Sequence, residues 1–248
     1  MQFIFKSVNS EMRKIGGRKL LLFSLFFSLL SSFLCISYFI FNKNNPDMFQ
    51  STNLIAITVN FNTLTLSIFS ACMWYFIISS ENKYGTWAII YTKPISKFKL
   101  LIAKNILFIL FYLIFDILNF LVIGIYAFIN GYEISILYFL KMLILCTVLS
   151  LAIPYSQLLL HLIIKKGVLA ASLSVIWIFF SVTYGLFPAI FTKTFPIFYA
   201  LNIVSDIMIK KTTILIYLAS SLIYLASSLI YILGIMLLTV NFKYYTYE

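Results

Sequence analysis

ENKYGTWAIIYTKPISKFKLLIAK, residues 81–104, sets five lysines, a glutamate, a glycine and a proline between two long apolar runs. The runs on either side, Met48–Ser80 and Asn105–Tyr132, contain a single Asp, Glu, Lys or Arg between them, Asp116. This contrast is expected where a chain leaves a bilayer, crosses water and re-enters. A hydrocarbon core about 30 Å thick takes about 20 apolar residues per helical span, and every backbone polar group inside it must be satisfied internally. The stretch therefore fixes two neighbouring membrane helices and the basic connection that joins them.

The rest of the chain repeats the pattern. Of 248 residues, 62% are hydrophobic and only 10% charged, against about 25% charged in soluble domains. Further apolar runs cover Leu20–Asn42, Met142–Ile164, Gly167–Thr192 and Thr212–Phe242. Six spans leave no room for a separate soluble domain. The first run is too long for a signal-peptide core and lacks a small-residue cleavage site, so it is read as a retained span. Cys35, Cys72 and Cys146 all lie inside apolar runs, where a free thiol behaves as a small hydrophobe.

Orientation follows from the basic residues beside the spans. With the N-terminus inside, the inner segments hold Lys6, Arg13, Lys14, Arg18, Lys19, the five lysines of 81–104, Lys165, Lys166 and Lys243. The outer segments hold only Lys43, Lys141, Lys193, Lys210 and Lys211. Both termini are thus expected in the cytoplasm. The net charge of +11 matches an anionic inner leaflet. Because the basic residues are scattered among loops, the charge gives no support to nucleic-acid binding.

Before the first span, Phe5, Val8, Met12 and Ile15 recur at helical spacing opposite Lys6, Asn9, Ser10, Arg13 and Lys14. This is the pattern of a helix lying in the membrane interface, and Gly16-Gly17 permits a bend into the bilayer. An ordinary basic flank is the alternative. Past the fifth run, Gly185, Pro188 and Pro196 interrupt the apolar sequence. Two short outer-leaflet helices are expected there, or else a single interfacial loop. The last run contains a tandem repeat, IYLASSL at Ile216–Leu222 and again at Ile223–Leu229. A seven-residue repeat drifts only about 20° per copy on a helix, so Tyr217, Tyr224 and Tyr231 share one stripe. It reflects either close helix packing or slippage in the gene.

The sequence carries little catalytic chemistry. No phosphate-binding loop of the form G-x-x-x-x-G-K-[ST] occurs, and Gly16-Gly17-Arg18-Lys19 lacks its spacing. Asp116 is expected deep in the third span and His161 about a turn from Lys165, so the two should not meet. Asp116 with Asn119 either lines a translocation path or dimer seam, or is a protonated acid bonded to a nearby hydroxyl or amide such as Asn119. Gln157 and His161 form an i, i+4 polar pair near the inner end of the fourth span, after Pro154. One histidine and scattered carboxylates do not make a metal site.

Within 81–104, Gly85-Thr86 offers a helix start, Trp87 to Tyr91 is aromatic and apolar, Pro94 breaks the element and Ser96 can cap the next. A short helix along the membrane surface would present aromatic and basic groups suited to a groove on a partner. A snorkelling basic linker is the plainer reading. The pattern E-x-K-x-G-T-W…K-P-I-S-K…L-x-x-A-K resembles the cytoplasmic loop of ABC type-2 permeases. The six-run layout, N-terminal amphipathic helix and interrupted region before the last run are similar to that family too. In size and character the chain looks closest to permeases of lantibiotic-immunity exporters of the nisin and epidermin type.

The resemblance implies an all-α polytopic membrane protein of six transmembrane helices forming one domain over 1–248. It would have an interfacial helix within 1–18, a coupling helix within 81–104 and short outer-leaflet helices before the last span. It also implies a non-enzymatic subunit without a cofactor of its own, the ATP and Mg belonging to a pair of cytoplasmic ABC ATPase chains. Glu81, Lys83, Gly85, Thr86, Trp87, Pro94, Ser96 and Lys97 would form the contact with them. A second permease, identical or different, would complete the transporter in a bacterial cytoplasmic membrane. Cargo stays open: antimicrobial peptide, drug, toxin peptide, polysaccharide, lipid or ion. A membrane scaffold or sensor is the non-transport alternative, and a gradient-driven carrier would need more midplane charge than Asp116.

Overall fold

The computed structural model describes residues 2–43, 51–79, 97–132, 136–164, 166–202 and, near the C-terminus, 226, 227, 229–235 and 237. Among these residues the chain is helical and has no strand. Helix α1 is Gln2–Ile15, α2 Gly17–Phe41 and α3 Ser51–Trp74, which ends in a π-helical turn, Tyr75–Ser79. Helix α4 is Lys97–Ile129, α5 Ile136–Ser150 and α6 Ala152–Ile163. Shorter pieces follow: α7 Gly167–Ser172, α8 Ser174–Val182 and α9 Ala189–Thr194.

Among the described residues four helices are long and apolar enough to cross a membrane: Gly17–Phe41, Asn53–Ile78, Leu100–Ile129 and Phe139–Ile163. The fourth combines α5 and α6, which are separated by a break at Leu151. Pro154 accounts for that break. It has no N–H to offer the carbonyl of Ser150, and its ring crowds the preceding turn. The Trp74 indole N–H donates to the Pro154 carbonyl at 2.8 Å, which ties the end of α3 to this helix just past the break.

The least hydrophobic of the four spans sits deepest. Asn53–Ile78 has mean hydropathy 1.5 and is 72% buried, whereas Gly17–Phe41 has mean hydropathy 2.3 and is 39% buried. Lipid tails are as apolar as leucine, so hydrophobicity alone cannot pull helices together; packing and polar contacts do so. Helix α3 packs on α2, α4, α6 and α8. Its aromatic groups stack against α4, with Phe69 over Phe115 at 4.7 Å and Trp74 over Phe108 at 4.5 Å between ring centres.

Helix α4 begins at Lys97, eight residues before the apolar run Asn105–Tyr132. Its 33 residues reach about 50 Å at 1.5 Å each, so its first turns stand beyond the hydrocarbon. Helix α1 lies across them. Gly16 makes the corner into α2 with φ 84°, a left-handed conformation that costs other residues about 1–2 kcal/mol. The stripe of α1 that packs inward is Val8, Glu11 and Ile15, while Met12 is exposed. A carboxylate thus occupies the centre of the face expected to be apolar. Just past the end of α4, Gly131 takes the left-handed conformation with φ 72°.

The fifth apolar run is broken at Leu173, and its helix ends at Val182. Gly167–Val182 is too short to count with the four. After it come a 3-10 turn Tyr184–Leu186, helix α9 and a second 3-10 turn Pro196–Phe198, so short helices stand where Gly185, Pro188 and Pro196 interrupt the sequence. Of the last run, only the pieces from 226 onward are described. Ile232 and Ile235 enter the main core, and the Tyr231 hydroxyl lies 2.7 Å from Ser156 on α6. Tyr217, Tyr224 and the first IYLASSL copy lie outside the described residues.

Candidate functional site

Glu81, Lys83, Gly85, Thr86, Trp87, Pro94 and Ser96 lie outside the described residues. Lys97 opens α4. What the structure does define is how the two ends of that connection are rooted. The π-turn Tyr75–Ser79 follows α3, and Lys104, one of the five lysines of the opening stretch, reaches across to it. Its ammonium donates to the Ile77 carbonyl at 2.9 Å and to Glu11 Oε2 of α1 at 2.8 Å. Lys104 is 1% exposed and Glu11 7%. A cation near a helix C-terminus also meets the favourable end of the helix dipole. Far from snorkelling at a border, Lys104 is clamped among α1, α3 and α4.

A second polar cluster lies about 18 Å further along α4 at 1.5 Å per residue. Asp116 is fully buried. Its Oδ1 accepts from Asn62 Nδ2 of α3 at 2.7 Å, and Oδ2 meets the Thr147 hydroxyl of α5. Asn119 joins at one remove, donating to Asn62 Oδ1 at 3.0 Å, and its own Oδ1 accepts from Ser32 of α2 at 2.8 Å. One turn back, the Tyr112 hydroxyl lies 2.7 Å from both the Ser150 hydroxyl and the Thr147 carbonyl. Four helices are thereby tied at one depth. Asp116 is bonded to an amide and a hydroxyl, but the amide is Asn62 rather than Asn119.

The Thr147 hydroxyl stands between two acceptors, the Leu143 carbonyl at 2.7 Å and Asp116 Oδ2. Among the described residues the hydrogen-bond partners of Asp116 are thus an uncharged amide and an uncharged hydroxyl.

Gln157 and His161 form a third, separate group near the start of α7. Gln157 Nε2 donates to the Ala170 carbonyl at 2.7 Å, and its Oε1 accepts from the Trp177 indole at 2.8 Å. It clasps α6 to α7 and α8. His161 Nδ1 lies 3.0 Å from the Gln157 carbonyl, and among the described residues its buried Nε2 has no hydrogen-bond partner. The Gln157 and Asp116 groups share no hydrogen bond. Among the described residues no three His, Cys, Asp or Glu side chains gather where a metal would need them.

Between α4 and α5, in the half of the bundle away from Lys104, an apolar cavity of about 550 Å³ is lined by Leu121, Gly124, Ile125, Phe128, Phe139 and Leu140. Leu121, Ile125, Phe128 and Leu140 are exposed, so it opens sideways toward the surroundings of the helices.

Sequence reasoning overlooked Glu11, Ser32, Asn62, Tyr112, Thr147 and Ser150. A signal for Asn62 was present. Thr58, Asn62 and Thr65 recur at helical spacing in α3 and are all buried, which marks an inward polar stripe.

A family model described as "ABC-2 family transporter protein" matches residues 7–181, well over half of the chain. Among curated proteins none matches it.

Proposed function

The chain belongs to the ABC-2 transporter family, and from that premise we propose that it is the permease subunit of an ATP-driven exporter of a hydrophobic or amphipathic antimicrobial peptide, serving lantibiotic self-immunity. Family membership and the apolar helices make it a multi-pass membrane protein and imply a partner ABC ATPase, where the ATP and Mg are used. In this reading the ATPase docks on the connection around residues 81–97, with Glu81, Lys83, Gly85, Thr86 and Trp87 at the contact and Pro94, Ser96 and Lys97 leading into α4. Six spans form one domain over 1–248, with both termini in the cytoplasm of a bacterium. A second permease, of this or another sequence, completes the path along a seam to which Asp116, Asn119, Gln157 and His161 contribute.

The observation that carries the reading is the rooting of the connection. Work delivered to a loop reaches the membrane helices only if the loop's ends cannot slip. Here Lys104 bonds across from α4 to the last turn of α3 at 2.9 Å. The sideways cavity between α4 and α5 supports a cargo drawn laterally from the bilayer rather than from water. To test the cargo, cells with and without the chain are challenged with a panel of lantibiotics. Selective sensitisation of the deleted strain is expected. Equal sensitivity to every peptide removes the immunity role and leaves another cargo to be found.

A further inference from the structure

We propose that the fifth apolar run carries a hinge at Leu173 made by Gln157 of α6, whose side-chain amide takes the place of a main-chain hydrogen bond and clasps the two pieces of the run. Neither the cargo nor the partner ATPase enters into it.

The break at Leu173 needs a cause. Residues 167–182, GVLAASLSVIWIFFSV, contain no proline and, after Gly167, no glycine. Sharp breaks otherwise come from serine or glycine pairs, from bulges, or from a side chain that enters the main-chain ladder. Helix α7 stops at Ser172 and α8 starts at Ser174, with Leu173 a turn between them. In a continuous helix the Ala170 carbonyl receives the N–H four residues on, that of Ser174. Here it receives Gln157 Nε2 at 2.7 Å. Just past it the chain tightens, the Ile176 N–H reaching the Leu173 carbonyl, three residues back, at 3.0 Å. Ala170 and Gln157 are both fully buried, where a main-chain carbonyl needs a partner. Ser172 also bonds within the run, to the Leu169 carbonyl at 2.8 Å, but that carbonyl keeps its Leu173 amide at 3.3 Å. The carbonyl that has changed partner is the one facing Gln157.

The same amide holds the other piece. Trp177 of α8 donates its indole N–H to Gln157 Oε1 at 2.8 Å. An indole can only donate and a carbonyl only accept, so a single orientation of the amide serves both. Its nitrogen grips α7 and its oxygen grips α8, and both pieces pack on α3. Tilting α8 about Leu173 therefore strains side-chain bonds, where bending an intact helix would cost ladder bonds. That difference makes the break a joint rather than a fixed kink.

The experiment uses the full chain in lipid nanodiscs. Val168 and Val182, exposed on α7 and α8, are changed to cysteine and spin-labelled, with Cys72→Ser, since Cys35 and Cys146 are buried. On an unbroken helix the two positions stand about 21 Å apart at 1.5 Å per residue. Pulsed electron spin resonance reads the distribution of separations. Gln157→Met keeps the length of the side chain and loses the amide. It is expected to shift the separation by a few ångströms toward the unbroken value and to narrow it, as the ladder closes through Ser174. Trp177→Phe removes only the arm to α8, so the break should stay and the distribution should broaden. Ser172→Ala is expected to leave both mean and width unchanged. An unaltered distribution in Gln157→Met overturns the hinge, as does a straightened helix in Ser172→Ala. Should Gln157→Met fail to assemble, Trp177→Phe decides: broadening supports the clasp, and an unchanged distribution overturns it.

Discussion

Glu11–Lys104 and Asp116–Asn62–Thr147 are both withdrawn from solvent and both draw on α4, yet one is an ion pair and the other a carboxyl among amides and hydroxyls. They differ in depth. Near the end of α4 that carries Lys97, two opposite charges meet one another, and the ammonium also meets a carbonyl of the π-turn after α3, so each charge has a partner of full strength. At the middle of the span a charge would be costly even on lenient scales, and the chain supplies uncharged donors and acceptors instead. The first cluster joins elements on either side of a connection, which suits a moving joint. The second ties α2, α3, α4 and α5 at one level, which suits a fixed core.

That contrast is broken most severely by removing one charge of the pair. Lys104→Met leaves Glu11 buried and alone, a loss of about 3–5 kcal/mol, measurable as a lower midpoint in denaturant unfolding of the detergent-solubilised chain. Adding Glu11→Leu to it should recover most of the loss, because the orphaned charge is gone. In the central cluster the effect should be smaller and should depend on shape more than charge. Asp116→Ala orphans Asn62 and Thr147 at about 1–3 kcal/mol, whereas Asp116→Asn offers an amide donor to Thr147 and a carbonyl to Asn62 and should cost under about 1 kcal/mol. Equal losses in the two variants would mean that the carboxyl acts as a charge. Asp116→Asn that also leaves transport intact would take Asp116 out of any cargo path.

Gly16→Ala sharpens the comparison at the joint, since only the left-handed corner changes, for about 1–2 kcal/mol. Smallest of all should be Tyr231→Phe, which removes one hydroxyl contact to Ser156, about 0.6 kcal/mol on the average for helix pairs in membranes. A larger shift would indicate that the last apolar run is held mainly through that contact.

The helices were largely legible and their partners were not. Apolar runs of the right length announced α2, α3, α4 and the α5–α6 span, but the fourth run was read as continuous and its break at Leu151, before Pro154, was not expected. The start of α4 at Lys97, eight residues before its apolar run, agrees with a helix expected to begin after Ser96, and it takes Lys97, Lys99 and Lys104 into the helix. A helix that projects past hydrocarbon is free to carry them. Nothing in the local sequence explains the break at Leu173. Asp116 could be singled out from its own neighbourhood, but Asn62 and Thr147 stand 54 and 31 residues away, and Glu11 stands 93 from Lys104. Pairings at such separations follow from how the helices pack, which periodicity within one helix does not specify. The low hydropathy of α3 and the helical spacing of Thr58, Asn62 and Thr65 were the available hints, since a polar span must turn its polar side inward.

The central claim is that this permease receives work from a separate ATPase through the connection between α3 and α4. It is tested most directly by purifying the tagged chain from its native host in mild detergent and assaying the eluate for ATP hydrolysis. The account predicts a copurifying soluble ATPase whose association is lost when Gly85 and Thr86 are replaced by aspartate while the membrane helices still assemble. An eluate without ATPase, or one in which those replacements change nothing, would contradict it.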